Sequence, residues 1–180
     1  EEFTIDRSRV FVAGYDSGGG MAYALACRPP VPLAGVVVVS ALMWDYARDQ
    51  CASAAPTPML IVHGRRDEQY APTGGGDVNG VDIRRLGVRD TLAVWRRING
   101  CATPSASGRD DSVVYASCSS GAQLAYVGVA GGGHNWFRAN SRYQINRQNV
   151  DATALTNQFF FERSAFALPE TRTSGRSRSW

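Results

Sequence analysis

The chain has 180 residues, 44% hydrophobic and 19% charged, with a net charge of +3; that suits one domain with its own core, and no apolar run approaches the roughly 20 residues of a membrane-spanning helix. All 19 basic residues are arginine, which excludes a phosphate-cradling P-loop and Schiff-base or pyridoxal chemistry, because each needs a lysine. The positive charge is spread along the chain rather than packed into the dense basic patch of a nucleic-acid binder, so no nucleic-acid partner is expected.

Residues 9–13 (RVFVA) read as a short buried strand closed by Gly14. A helix over 18–27 follows, carrying Met21, Tyr23 and Leu25 and stopped by Arg28-Pro29-Pro30. Residues 34–40 (AGVVVVS) and 58–63 (PMLIVH) are continuous apolar runs, the mark of strands covered on both faces. A long polar loop over 65–87 holds one triple glycine, and 90–98 has helical spacing with Leu92, Trp95 and Ile98 on one side. Residues 112–117 and 123–130 read as two more strands, and a second triple glycine, Gly131 to Gly133, leads into His134. Asp151 can cap a last helix running to about Phe166, with Leu155, Phe159 and Phe166 on one face. The Arg/Ser-rich residues 169–180 read as a disordered end or a surface strap. Buried strands alternating with helices make an α/β domain with a largely parallel sheet, and no repeat or linker divides it.

Cys27, Cys51, Cys101 and Cys118 form an even, widely spaced set without a CxxC pair. With only His63 and His134 beside them, no metal site and no cofactor are expected. Four cysteines allow three pairings, and the spacing alone does not choose among them; buried free thiols are the alternative. If oxidised, they point to a secreted or lumenal protein. The sequence shows neither a signal peptide nor an N-x-S/T acceptor site.

The chemistry concentrates at residues 10–20, VFVAGYDSGGG. A strand runs into a helix through a corner with glycine on both sides, the layout of a nucleophile elbow, G-x-Nuc-x-G. In that frame the nucleophile position is Asp16 and Ser17 follows it. The helix N-terminus behind the corner offers free N–H groups and positive dipole for developing negative charge. His63-Gly64-Arg65-Arg66-Asp67 leaves a buried strand and presents Asp67 at its C-terminal end, and His134 sits on a later glycine-rich loop. Nucleophile, acid and histidine thus occur in the order this architecture requires. His63, inside an apolar strand, reads as a core histidine. A dinucleotide-binding reading fails, because the second glycine of G-x-G-x-x-G would fall on Asp16.

These segments resemble the secreted α/β-hydrolases grouped as feruloyl esterases and polyhydroxybutyrate depolymerases. The matching stretches are the elbow and its helix to Cys27, the H-G-x-x-D turn at 63–67, the W-x-x-x-N-x-C segment at 95–101, and G-x-G-H-x-W-type residues at 131–136. The resemblance implies the α/β-hydrolase fold, secretion, and local pairing of Cys27 with Cys51 and Cys101 with Cys118. It further implies that Asp67 orients His134, that the Ser17 backbone N–H is one oxyanion donor, and that Tyr15 and Trp136 flank an ester, polyester or plant cell-wall type substrate. Packing is the alternative role for the two aromatic residues.

Two departures shape the functional expectation. The family's nucleophilic serine is replaced by Asp16, with a smaller change at Phe137, where the family has proline. In addition, the elbow follows the first strand of this chain rather than the fifth of the fold. Residues 1–168 are therefore expected to be the back part of one domain, its front strands supplied by another segment or chain that covers the apolar edge at 10–13. Three functions fit: a carboxylic-ester hydrolase disabled by Asp16, a non-catalytic α/β-hydrolase module for binding or assembly, or an Asp-nucleophile hydrolase of epoxides or alkyl halides.

Overall fold

A computed structural model describes residues 4–78, 81–82, 84–102, 104, 106–107, 112–115, 118–162 and 166. The tail at 169–180 and the end of the strand read over 112–117 lie outside them.

The elements follow in the order β1 (Phe11–Tyr15), α1 (Ser17–Cys27), β2 (Gly35–Val39), α2 (Ala47–Gln50), β3 (Met59–Gly64), β4 (Asp77–Val78), β5 (Val81–Asp82), α3 (Val88–Asn99), β6 (Ala106–Ser107), β7 (Val113–Tyr115), β8 (Leu124–Val129) and α4 (Ala152–Phe161). Among the described residues, six strands make one sheet in the order β1-β2-β3-β8-β7-β6, with β4 and β5 a separate small antiparallel pair. The first four are parallel neighbours, with Val12 beside Val36, Val37 beside Leu60 and Leu60 beside Ala125. Beyond β8 the sheet turns antiparallel through β7 and β6. This is the α/β-hydrolase fold.

The valine run of β2 is buried at every position, as are β3 and β8. Successive strand residues point to opposite faces, so each strand feeds two cores. Val36, Val38, Met59, Ile61, Leu124 and Tyr126 face one side, with Tyr23 of α1 and Trp95 of α3. Val37, Val39, Leu60, Val62, Ala125 and Val127 face the other, with Phe137 and with Leu155 and Phe159 of α4. β1 is the terminal strand, half-buried along much of its length, and Phe11 stacks on Phe160 at 4.6 Å.

Both local disulfides are formed, Cys27–Cys51 and Cys101–Cys118. The first ties the end of α1 to the segment after α2, and the second joins the chain after α3 to the approach of β8. Asn99, the motif residue two before Cys101, is wholly buried and has a structural task. Its amide donates to the Thr57 carbonyl at 2.9 Å and its oxygen accepts from the Thr57 N–H at 3.0 Å. The end of α3 is thereby fastened to the lead-in of β3.

The structure departs from the sequence reading at β1, which runs through Gly14 to Tyr15 rather than closing at Ala13, and also at the last helix and the long loop. Asp151 does cap α4, accepting from the Ala154 N–H at 2.9 Å, but the helix ends at Phe161. Phe166 still reaches the same core, edge-on to Phe159 at 5.4 Å, which explains why its apolar spacing resembles a continued helical face. The polar loop over 65–87 is also more structured than its composition suggests. It holds the β4–β5 pair, and Gly74 and Trp44 bridge to Leu86 and Arg85.

Candidate active site

The parallel strands β1, β3 and β8 all deliver their C-terminal ends to the same edge of the sheet, and each is followed by one residue of the expected constellation. After β1 the chain reverses at Asp16, whose φ of 54° and ψ of −128° are costly for any residue with a side chain. The turn is held by the Asp16 N–H donating to the Val39 carbonyl and by the Gly19 and Gly20 N–H groups donating back to the Asp16 carbonyl. It is also too tight for a side chain at Gly14, where a Cβ would lie 2.2 Å from the Gly18 carbonyl oxygen. Ser17 opens α1, so its amide precedes the first intrahelical bonds and faces the elbow with the helix dipole behind it.

Asp67 leaves β3 three residues after Gly64 and is buried. One carboxylate oxygen accepts from the Gln69 and Tyr70 N–H groups at 3.0 and 2.8 Å. The other lies 2.9 Å from His134 Nδ1. The histidine loop after β8 is stitched to this acid loop by the Arg65 N–H donating to the Val129 carbonyl and the Arg66 N–H to the Gly132 carbonyl. On the far side Ser40, at a φ of 45° just past β2, donates its hydroxyl to the Asn135 carbonyl at 2.8 Å. With Nδ1 bound to Asp67, His134 turns Nε2 toward Asp16, 3.5 Å from the Asp16 carboxylate.

Asp16, Asp67 and His134 are therefore in line, with the Ser17 amide beside them. Partial burial pushes the Asp16 carboxyl up, but it is outweighed: hydrogen bonds with the Tyr70 and Ser17 hydroxyls and the charge of His134 hold its pKa below the usual 3.8. Tyr15 and Trp136, the two expected flanking residues, both pack partly into the α4-side core. Tyr15 also lines the histidine, its ring 5.1 Å from that of His134 and its hydroxyl donating to the His134 carbonyl at 3.3 Å. Trp136 spends its indole N–H on Thr153 at 2.9 Å. Among the described residues, no group of three His, Cys, Asp or Glu could hold a metal ion, and no helix is long and apolar enough to cross a membrane.

Three participants are absent from the sequence reading as site residues. His63 is wholly buried, as a core histidine should be, yet its Nε2 donates to the Tyr70 carbonyl at 2.8 Å and lies 3.7 Å from the Asp67 carboxylate. Burial pushes its pKa down, against the opposing pull of that carbonyl and of Asp67. Tyr70 stacks its ring on His134 at 5.2 Å, nearly parallel. Arg85, from the far end of the long loop, sets its guanidinium 4.3 Å from the centre of the Tyr70 ring. The only sequence signal for Tyr70 is an aromatic residue three positions past the acid, and a loop of that composition gives no reason to single it out.

No known family profile matches the chain. Feruloyl esterase B of Piromyces equi is 28% identical over 144 residues, covering 72% of this chain and 25% of that protein. Feruloyl esterase D of Neurospora crassa is 30% identical over 132 residues, covering 73% of this chain and 41% of that protein. The chain thus spans a quarter and about two fifths of the lengths of these curated relatives. Among solved structures, the acetyl xylan esterase from Aspergillus awamori superposes with a TM-score of 0.54 at 15% identity, covering 86% of this chain and 60% of that one, a likeness of fold.

Proposed function

We propose that this chain carries the elbow, acid and histidine of a carboxylic-ester hydrolase of the feruloyl esterase type, with Asp16 standing where such a site needs a serine. The observation that carries the reading is the line Asp67–His134–residue 16 at the strand ends, built on an elbow whose positive φ is kept at a non-glycine residue. Similarity to two feruloyl esterases supports an ester substrate, with a feruloyl ester as the first candidate. The two disulfides support an extracellular setting. The half-buried terminal strand β1 supports a further segment or chain pairing along it, which would complete the domain.

With serine at position 16, His134 Nε2 would take the hydroxyl proton as oxygen attacks the acyl carbon. Asp67 would hold the Nδ1–H and stabilise the imidazolium, while the Ser17 amide would donate to the carbonyl oxygen as it becomes negative. Acyl-enzyme and alcohol would result, and water activated by the same histidine would release the acid. Asp16 cannot follow this course. Its attack gives a tetrahedral adduct that expels whichever group leaves better, and a carboxylate (pKa about 4) leaves far more readily than an alkoxide or a phenolate (about 10). The adduct reverts, and the chain with Asp16 does not turn esters over. The 3.5 Å contact between Asp16 and His134 Nε2 favours a second reading, a non-catalytic module kept for binding or assembly.

The test is hydrolysis of 4-nitrophenyl acetate and methyl ferulate by the full-length protein and its Asp16→Ser variant. Turnover only in the serine variant is the expected result. Equal turnover by both proteins would refute the nucleophile assignment, and none by either would leave the non-catalytic reading standing. An epoxide or alkyl halide that esterifies Asp16, seen by mass spectrometry, would make Asp16 itself a nucleophile at saturated carbon and overturn both readings.

A further inference from the structure

Tyr70 touches Asp67, His63 and His134, each through a different part of the residue. Its backbone N–H donates to Asp67 at 2.8 Å and its carbonyl accepts from His63 at 2.8 Å. Its ring lies 5.2 Å from the His134 ring with only 14° between the planes. Its hydroxyl faces Asp16 and Ser17, and its influence is among the causes that hold the Asp16 carboxyl below its usual pKa. Such a side chain would swing freely if only its own turn after Asp67 held it. The Arg85 guanidinium restrains it from the far end of the same long loop, 4.3 Å from the ring centre, and Arg85 is buried with its Nε unpartnered. Burying a guanidinium with one N–H unmade is costly, and a cation resting on an aromatic ring recovers part of that cost.

We propose that Tyr70, held by Arg85, is a positioning residue that fixes residue 16 and His134 relative to one another. The hydroxyl donates to the side chain at position 16, and the ring sets the tilt of the imidazole whose Nε2 must face that side chain. Arg85 acts through Tyr70 and touches neither residue 16 nor His134. This rests on the ester-hydrolase reading for its catalytic meaning, but the geometry it predicts exists with Asp16 in place and can be tested without turnover.

The first experiment is a carbon-13 NMR titration of the Asp16 carboxyl in the native protein, in Tyr70→Phe and in Arg85→Met. Asp16 is faced by Ser17, Tyr70, His134 and Tyr15, so only the phenylalanine change removes a donor while leaving every charge in place. Loss of a hydrogen bond to a part-solvated carboxylate moves its midpoint up by roughly half a pH unit or more. Tyr70→Phe is expected to show that rise. Arg85→Met is expected to show a smaller rise, with a change in the His134 ring-proton shifts as the stacked ring loosens. A purely structural Tyr70 would leave the Asp16 titration unchanged in a folded Tyr70→Phe protein, and that result overturns the proposal. The second experiment adds Tyr70→Phe to Asp16→Ser. The expected loss is roughly tenfold in kcat with KM within about twofold, since a misaimed nucleophile and base slow chemistry and leave binding alone. If Asp16→Ser is inactive, the ester-hydrolase reading fails while the titration still decides the role of Tyr70.

Discussion

Gly64→Ala is the sharpest probe of how the acid and histidine loops are fitted together. Gly64 ends β3, and an added Cβ would lie 2.3 Å from the Gly133 carbonyl oxygen and 2.4 Å from that of Gly132, where ordinary contact begins at 3.4 Å. Both neighbours are backbone, so no side chain can rotate aside, and the loops must part by about 1 Å. Gly133 immediately precedes His134, so the displacement falls on the 2.9 Å link between His134 and Asp67. Overpacking of this kind costs about 1–3 kcal/mol, which for a chain of this size lowers Tm by about 2–10 °C. A catalytic group misplaced by about 1 Å loses on the order of 100-fold in rate. The assay pairs thermal unfolding with proton NMR of the His134 Nδ1–H, and adds ester hydrolysis in the Asp16→Ser protein. A Gly64→Ala protein with unchanged Tm and an unshifted Nδ1–H resonance would refute the claim that the two loops meet at this glycine.

Two further outcomes follow from polar groups buried around the same loops. Ser40→Ala removes a wholly buried hydroxyl that binds the Asn135 carbonyl at 2.8 Å and the Asn135 N–H at 3.4 Å; urea denaturation should show a loss of about 1–3 kcal/mol, and an unchanged midpoint would mean that this anchor does not hold the histidine loop. His63 has its pKa lowered by burial, so below its ordinary 6.5 the unfolded chain takes up a proton that the folded chain refuses. Stability is therefore undiminished by this group above pH 6.5 and falls as pH drops from there toward the folded pKa, by at most about 1.4 kcal/mol per pH unit. His63→Gln should flatten the fall in urea midpoints between pH 7 and 5, and equal slopes in the two proteins would assign that fall to other groups.

Much of this arrangement was readable from local pattern because each piece has a local cause. The valine run of β2 could only be a strand buried on both faces, and G-Y-D-S-G could only turn tightly, since the Gly14 position leaves no room for a Cβ. The order of Asp16, Asp67 and His134 along the chain is fixed by which strands bring their C-terminal ends together. What the residues did not reveal depends on long-range approach. Ser40 looks like the polar end of a strand until the histidine loop closes over it 95 positions later. His63 reads as core, and it is core, but its strand ends where the acid loop folds back, so its Nε2 meets the Tyr70 carbonyl and the Asp67 carboxylate. Arg85 and Tyr70 meet only because the bridges from Gly74 to Leu86 and from Trp44 to Arg85 fold the long polar loop back on itself, and composition carries no trace of that path. Phe166 misled in the opposite sense, supplying helical spacing to a segment that reaches the core after the helix has ended.

The position of Asp16 is informative because the surrounding strain has not relaxed. A residue at φ 54° and ψ −128° costs on the order of 1–3 kcal/mol, and the surrounding bonds must over-determine it. Aspartate gains back part of that cost here, through the Ser17 hydroxyl at 3.2 Å, the Tyr70 hydroxyl and the facing imidazole. Its lowered pKa has a definite consequence for stability. The contribution is whole above about pH 3.8 and is lost as pH falls through the lower folded value. Serine in the same place would forgo that contact between carboxylate and imidazole and gain a hydroxyl whose proton His134 can accept. The same strained corner thus trades an electrostatic clamp for a nucleophile through one side chain, and the rest of the site, from the Asp67–His134 bond to the Arg85–Tyr70 contact, is built to serve either occupant.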